Sequence, residues 1–72
     1  MKFYLVTKAK RRDAKRHIVA KYSNLQSCMD LGRLIYTGRH GRLFIYDGRW
    51  NEIGYFGLNG NNEVVFYSYY PL

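Results

Sequence analysis

The first residues of the chain carry the pattern of a β-strand. Residues 2–8 read KFYLVTK, in which every second side chain shares one side of an extended backbone. Phe, Tyr, Val and Thr are also residue types that strands favour. We therefore predict a first strand at residues 2–8.

A helical period follows in residues 14–29. Apolar side chains recur there at spacings of four, four, three and four residues, at Ala14, Ile18, Tyr22, Leu25 and Met29. This spacing predicts one long helix with Asp13 as its N-cap and Gly32 as its C-terminal stop.

The same segment has an alternative interpretation. Residues 17–22 (HIVAKY) can form a second strand paired with the first, and a shorter helix at residues 24–31 then begins at a Ser23 cap. The pattern leaves both interpretations open.

The second half of the chain has short apolar runs separated by glycine. The sequence GRLIYTGR, which begins at Gly32, recurs nine residues later as GRLFIYDGR with Phe44 inserted. A period of nine residues is typical of a strand and a turn, so we predict consecutive antiparallel strands with turns at residues 38–41 and 47–48. Further strands are predicted at residues 51–58 and 63–70.

These elements predict an α+β domain in which one helix packs on a twisted antiparallel sheet of about five strands, in the order β-α-β-β-β-β. A small β-barrel with a short helix is the alternative, because the later strands are apolar on both faces. Since 72 residues can bury only one core, we expect a single small basic domain spanning residues 1–72, and a complete small protein.

The cysteine count and the N-terminus bear on location. Cys28 is the only cysteine and has no partner for an internal disulfide, which favours a reducing compartment, so we expect a cytoplasmic protein. The apolar run at residues 3–6 is too short for a signal peptide or a membrane span, and we expect no membrane association.

Charge is distributed unevenly along the chain. Residues 1–49 hold all twelve basic residues and three acidic ones, a balance of +9, whereas residues 50–72 hold two glutamates and no basic residue. Six basic residues lie within nine positions, at Lys8, Lys10, Arg11, Arg12, Lys15 and Arg16. A polyanion relieves the repulsion among such charges, so this cluster predicts a nucleic-acid-binding surface.

Aromatic residues extend this hypothesis. The chain has eight tyrosines, whose rings can stack on unpaired bases. On a sheet face, tyrosines beside arginines form a stacking surface with cationic flanks, and the residues predicted for this role are Tyr36, Tyr46, Arg33, Arg39, Arg42 and Arg49.

The last third of the chain suggests a different partner. Seven of the thirteen aromatic residues lie from position 50 onward, where no basic residue occurs. Clustered Trp and Tyr are typical of protein interfaces, so we predict a partner-binding surface there at Trp50, Tyr55, Tyr67, Tyr69 and Tyr70. The apolar C-terminal strand is also a candidate edge for a homodimer.

Motifs for catalysis are sparse. The chain has no metal-ligand spacing, no phosphate-binding glycine loop and no nucleophile elbow, and we expect no cofactor and no metal. One constellation, Arg39-His40-Gly41-Arg42, has the proton-transfer group and cations that metal-independent RNA cleavage needs.

The sequence thus favours a non-enzymatic small basic protein that binds nucleic acid. The first alternative is a phage-type inhibitor or regulator that docks on an acidic surface of a host or defence protein. The second alternative is a small metal-independent ribonuclease.

Overall fold

The protein is an open antiparallel sheet covered on one side by a helix. The computed structural model describes residues 1–9, 13–38 and 41–71. Within them the elements are β1 (Phe3–Lys8), β2 (Arg16–Tyr22), α1 (Leu25–Ile35), β3 (Arg42–Asp47), β4 (Glu52–Leu58) and β5 (Val64–Ser68). The predicted fold class, one helix packed on a five-stranded antiparallel sheet, is confirmed.

The predicted element order is wrong in its first half. β2 occupies residues assigned to a long helix, and it pairs antiparallel with β1, with Val6 opposite Ile18. The β-branched side chains of Ile18 and Val19 favour a strand over a helix. The hairpin-and-short-helix alternative is therefore confirmed, with Asn24 as the N-cap where Ser23 was predicted, since the Asn24 side chain accepts from the Ser27 backbone N–H at 2.8 Å.

The second correction concerns the start of the predicted meander. The sequence predicts a helix that stops at Gly32 and a strand in the first copy of the near-repeat, but α1 continues through Ile35. Gly32 lies inside the helix, and the Phe56 ring occupies the space that a Cβ at this position would take. The glycine therefore permits close packing of helix on sheet, and only the second copy of the near-repeat forms a strand.

The strand order is β2-β1-β3-β4-β5, with β2 and β5 at the two edges. Because these edges do not pair, the sheet is open, and the barrel alternative is not what the chain forms. The helix and one sheet face enclose the main core, made of Leu5, Cys28, Leu43, Ile45, Phe56 and Phe66. In the described part of the chain, no helix is long and apolar enough to cross a membrane.

Candidate nucleic-acid interface

The sheet has one face that the helix does not cover. Side chains alternate along each strand, so the neighbours of the core residues in β1 and β3 point away from α1. They form a second small cluster in which Tyr4 packs against Val6, Phe44 and Tyr46. No described helix or strand lies over this side, which we call the uncovered face.

Three basic residues form a row on the uncovered face. Lys8 lies directly opposite Arg16 on β2 and directly opposite Arg42 on β3. Lys8 has the same strand parity as Val6, and Arg42 has that of Phe44, so both project from the uncovered face. Like charges opposite one another destabilise a sheet, so this cationic row has a cost that an anionic partner would offset.

A second row, which we call the central row, crosses all five strands beside the cationic row. Its members pair in register in the order Ile18, Val6, Phe44, Tyr55 and Tyr67. The two tyrosine rings stack with centroids 5.4 Å apart and planes inclined by 28°. Tyr55 is 40% exposed and Tyr67 37% exposed, so this central row ends in accessible aromatic surface.

Trp50 completes the aromatic part of the uncovered face. Its indole stacks on Tyr4 and also contacts Tyr46, with ring centroids 5.5 Å apart in the second pair. The Arg16 guanidinium lies 5.0 Å from the Trp50 ring centroid and 5.3 Å from that of Tyr46. These cation–π contacts hold a positive charge directly over the aromatic surface.

One carboxylate lies among these rings. Glu52 accepts a hydrogen bond from the Tyr46 hydroxyl at 3.0 Å and another from the Tyr69 hydroxyl. The hydrogen bond to Glu52 is the main reason why the pKa of Tyr69 is raised to about 12. Burial first, and then the same carboxylate, raise the pKa of Tyr46, while nearby Arg16 opposes the shift. Glu52 thus extends the protonation of both phenols to higher pH and orients their rings.

Trp50 reaches its position through an unusual backbone conformation. Its backbone φ is +63°, a left-handed value that residues other than glycine rarely adopt. The Asp47 carboxylate stabilises this turn by accepting from the backbone N–H groups of Arg49 at 2.8 Å and Asn51 at 2.9 Å. The predicted turn at residues 47–48 is therefore real, but the positive φ is at Trp50 and not at Gly48.

A cleft opens where β3 and β4 separate. The last pair between these strands on this side is Phe44 with Tyr55, and residues 42–43 have no partner in β4. The resulting cleft of about 310 Å³ is lined by Tyr36, Gly41, Arg42, Phe44, Tyr55, Phe56 and Tyr69. It joins the cationic row, through Arg42, to Tyr55 of the central row.

The structure brings together many of the residues that the sequence singled out. From the predicted nucleic-acid set it gathers Lys8, Arg16, Arg42 and Tyr46 on the uncovered face. Tyr46 was predicted to stack on bases, but its ring is buried there against Trp50 and Arg16 and is not free to do so. From the predicted partner-binding set, the same face carries Trp50, Tyr55, Tyr67 and Tyr69. The sequence suggested two separate surfaces, but Arg16 lies over Trp50, so basic and aromatic residues share one face.

Other predicted residues lie elsewhere. Arg33 is on the exposed side of α1, 3.8 Å from Asp30. Tyr36 packs on the helix side against the main core and lines the cleft from there. The exposed residues Lys15 and Tyr70 lie outside the strands, and Arg49 lies in the β3–β4 turn. Five predicted residues lie outside the described part of the chain: Lys10, Arg11, Arg12, Arg39 and, from the ribonuclease alternative, His40.

Two residues of this face were missed by the sequence analysis. Tyr4 supports Trp50, and Glu52 orients two tyrosines. Alternation in residues 2–8 already placed Tyr4, Val6 and Lys8 on one side of β1. The missing information was which side the helix would cover.

Comparisons with known proteins supply no further constraint. No protein-family model, curated protein or solved structure matches this chain. Among the described residues, no group of three or more His, Cys, Asp or Glu side chains is arranged to hold a metal ion. Function has to be inferred from the geometry of the uncovered face.

Proposed function

We propose that the protein is a non-enzymatic nucleic-acid-binding module that uses its uncovered face. The observation that carries the proposal is the alignment of Arg16, Lys8 and Arg42 in register across three adjacent strands. These cations contact phosphates, which supply most of the affinity in such complexes.

The adjoining aromatic surface supports the same proposal. Tyr55, Tyr67 and Trp50 present rings that are each more than a third exposed beside the cationic row. Rings flanked by cations suit a ligand that alternates flat bases and negative phosphates. A small apolar ligand would not need three aligned cations.

The first alternative function has one observation in its favour. Exposed Trp and Tyr are also typical anchors of protein interfaces, so the uncovered face can dock on an acidic surface of a host or defence protein. We rank this second because the cations and rings are interleaved on one face. Separate charged and aromatic patches would favour a protein partner.

Binding is tested most directly by titration at two salt concentrations. Trp50 is the only tryptophan and lies on the proposed interface, so its fluorescence reports binding without a label. Single-stranded and duplex DNA and RNA should bind tightly at low salt. The logarithm of the binding constant should fall against the logarithm of salt with a slope of about −0.7 to −0.9 per phosphate contacted.

Two variants with the same change in charge provide the control. Arg42→Gln removes a cation from the cationic row, and Arg33→Gln removes one from the helix side. The first should weaken binding and reduce the slope by about 0.7 to 0.9, and the second should change neither. Absence of binding to every nucleic acid at low salt would overturn the proposal, as would equal effects of the two variants.

Two further proposals concern location and assembly. Buried Cys28 has no disulfide partner, which is compatible with the cytoplasm. β5 is an edge strand with no charged residue, so a homodimer through β5 stays a prediction, and sedimentation or light scattering across a concentration series tests it.

A further inference from the structure

We propose that the cleft between β3 and β4 binds one unpaired base, so that the ligand of the uncovered face is a single-stranded nucleic acid. This inference rests on the proposed function and adds the strandedness of the ligand and the position of one base.

The shape of the cleft suits a base. It exists because β3 and β4 pair only as far as Phe44 and Tyr55 and then separate. Its volume of about 310 Å³ is at the lower end of the range for small-molecule sites, which fits a single flat group better than a peptide segment. Its lining includes the rings of Phe44 and Tyr55 from the uncovered face and the ring of Phe56 from the helix side.

The charge at the cleft gives the base its orientation. Arg42 lines the cleft and is also the last member of the cationic row. A nucleotide whose phosphate binds Arg42 can therefore turn its base into the cleft while the backbone continues along Lys8 and Arg16. A base in a duplex is held in a pair and a stack, so it cannot enter without being extruded.

One wall of the cleft is held in place before any ligand arrives. The Tyr69 hydroxyl donates to Glu52, and the Tyr69 ring lies 5.9 Å from that of Tyr55. Tyr69 is 51% exposed and Tyr55 is 40% exposed, so both residues are accessible to a ligand. Rings fixed in this way lose little freedom on binding, which favours stacking.

The test compares oligonucleotides of about ten nucleotides, within the site sizes of small single-strand-binding domains. Four ligands are used at one low salt concentration: single-stranded DNA, single-stranded RNA, the DNA duplex and an abasic single strand of equal charge. We expect single strands with bases to bind more tightly than both the duplex and the abasic strand. The DNA and RNA arms identify the preferred sugar.

Protein variants locate the base. Tyr55→Leu removes a ring from the cleft, and Tyr55→Phe keeps it. Tyr22→Leu is the matched control, because Tyr22 is comparably exposed but lies on the helix side, opposite Phe3 of β1. Tyr55→Leu should weaken single-strand binding about 5- to 150-fold, while Tyr55→Phe and Tyr22→Leu should bind like the unaltered protein.

The outcomes separate this inference from the proposed function. If duplex, abasic and ordinary single strands bind equally and Tyr55→Leu has no effect, the cleft is not a base site, although the face still binds polyanions. If none of the four ligands binds, the proposed function itself fails. Because the abasic comparison uses the unaltered protein, equal binding of the abasic and ordinary single strands overturns this inference even if Tyr55→Leu does not fold.

Discussion

The indole of Trp50 lies flat on the ring of Tyr4, with ring centroids 4.8 Å apart and planes 2° from parallel. Trp50 reaches this position with a φ of +63°. In the β4–β5 turn, Asn62 has a φ of +60° at the equivalent position. There Asn59 accepts from the N–H groups two and four residues ahead, as Asp47 does in the first turn. Asn is a common residue for this conformation and Trp is not, so the turn alone does not explain Trp50.

Replacement of Trp50 separates backbone strain from ring contacts. Trp50→Asn and Trp50→Ala both remove the indole, but only Asn adopts positive φ readily. We expect the Asn variant to be more stable than the Ala variant by about 1 kcal/mol in urea denaturation. Both variants should bind nucleic acid more weakly than the unaltered protein. Asn62→Ala is the control and should lose about 1 kcal/mol without losing affinity. Equal stability of the two Trp50 variants would contradict this account.

The cationic row should destabilise the fold while serving binding. Lys8 faces Arg42 directly, and like charges in that arrangement destabilise a sheet, whereas the Arg16 guanidinium is turned toward the Trp50 and Tyr46 rings. We expect Lys8→Gln to raise the free energy of unfolding by a few tenths of a kcal/mol at low salt, less at high salt, and to weaken nucleic-acid binding. Lys2→Gln, which precedes β1, should change neither property. A Lys8→Gln protein that is less stable at low salt would refute the repulsion.

The sequence predicted the fold class and the later strands because glycine turns and apolar runs are local signals. It did not decide between helix and strand for residues 16–22, since Ile18 and Tyr22 fit a helical period while β-branched Ile18 and Val19 favour a strand. Pairing with β1, a tertiary contact, decided the outcome. The candidate site was predictable only as residue types. Which of them meet depends on the face that α1 covers and on the bulges between Leu5 and Val6 and between Ile45 and Tyr46.

Gly32 shows how tertiary packing overrides a local signal. In an exposed helix, Gly→Ala stabilises by roughly 0.5 to 1 kcal/mol. Here the added methyl group would overlap the Phe56 ring. We expect Gly32→Ala to destabilise the protein by about 1 to 3 kcal/mol in urea denaturation. The control is a double-mutant cycle with Phe56→Leu, whose cost should be smaller in the Gly32→Ala background. Additive effects would show that the two residues do not compete for the same space.

Asp47 should make the first turn sensitive to acid. Hydrogen bonds from the Asn51 backbone N–H, and further bonds from the Asn51 side chain and the Arg49 backbone N–H, lower the pKa of Asp47 below its ordinary value. A lowered pKa in the folded state means that its contribution is present above about pH 4 and is lost as the pH falls through the folded pKa. We expect the free energy of unfolding to decrease below pH 4, and to decrease less steeply in Asp47→Asn. Asp30→Asn, on the exposed side of α1, is the comparison, and an equal change of slope in that variant would show that the effect does not come from Asp47.

Glu52 should make the stability of the protein sensitive to alkali, because its carboxylate accepts hydrogen bonds from the phenols of Tyr46 and Tyr69. The pKa of Tyr69 is raised to about 12, and that of Tyr46 is raised as well. A pKa raised in the folded state means that the stabilisation is fully present below about pH 10, the ordinary value, and is lost as the pH rises toward 12. Ultraviolet absorbance of tyrosinate should therefore show a late-titrating component above pH 10.

Glu52→Gln removes the negative charge beside both phenols and should shift that component to lower pH, and Tyr69→Phe should reduce its amplitude. Glu63→Gln, which removes a carboxylate from the β4–β5 turn, should leave the curve unchanged. A curve that Glu52→Gln does not alter would mean that Glu52 neither holds these phenols protonated nor fixes the Tyr69 ring beside the cleft.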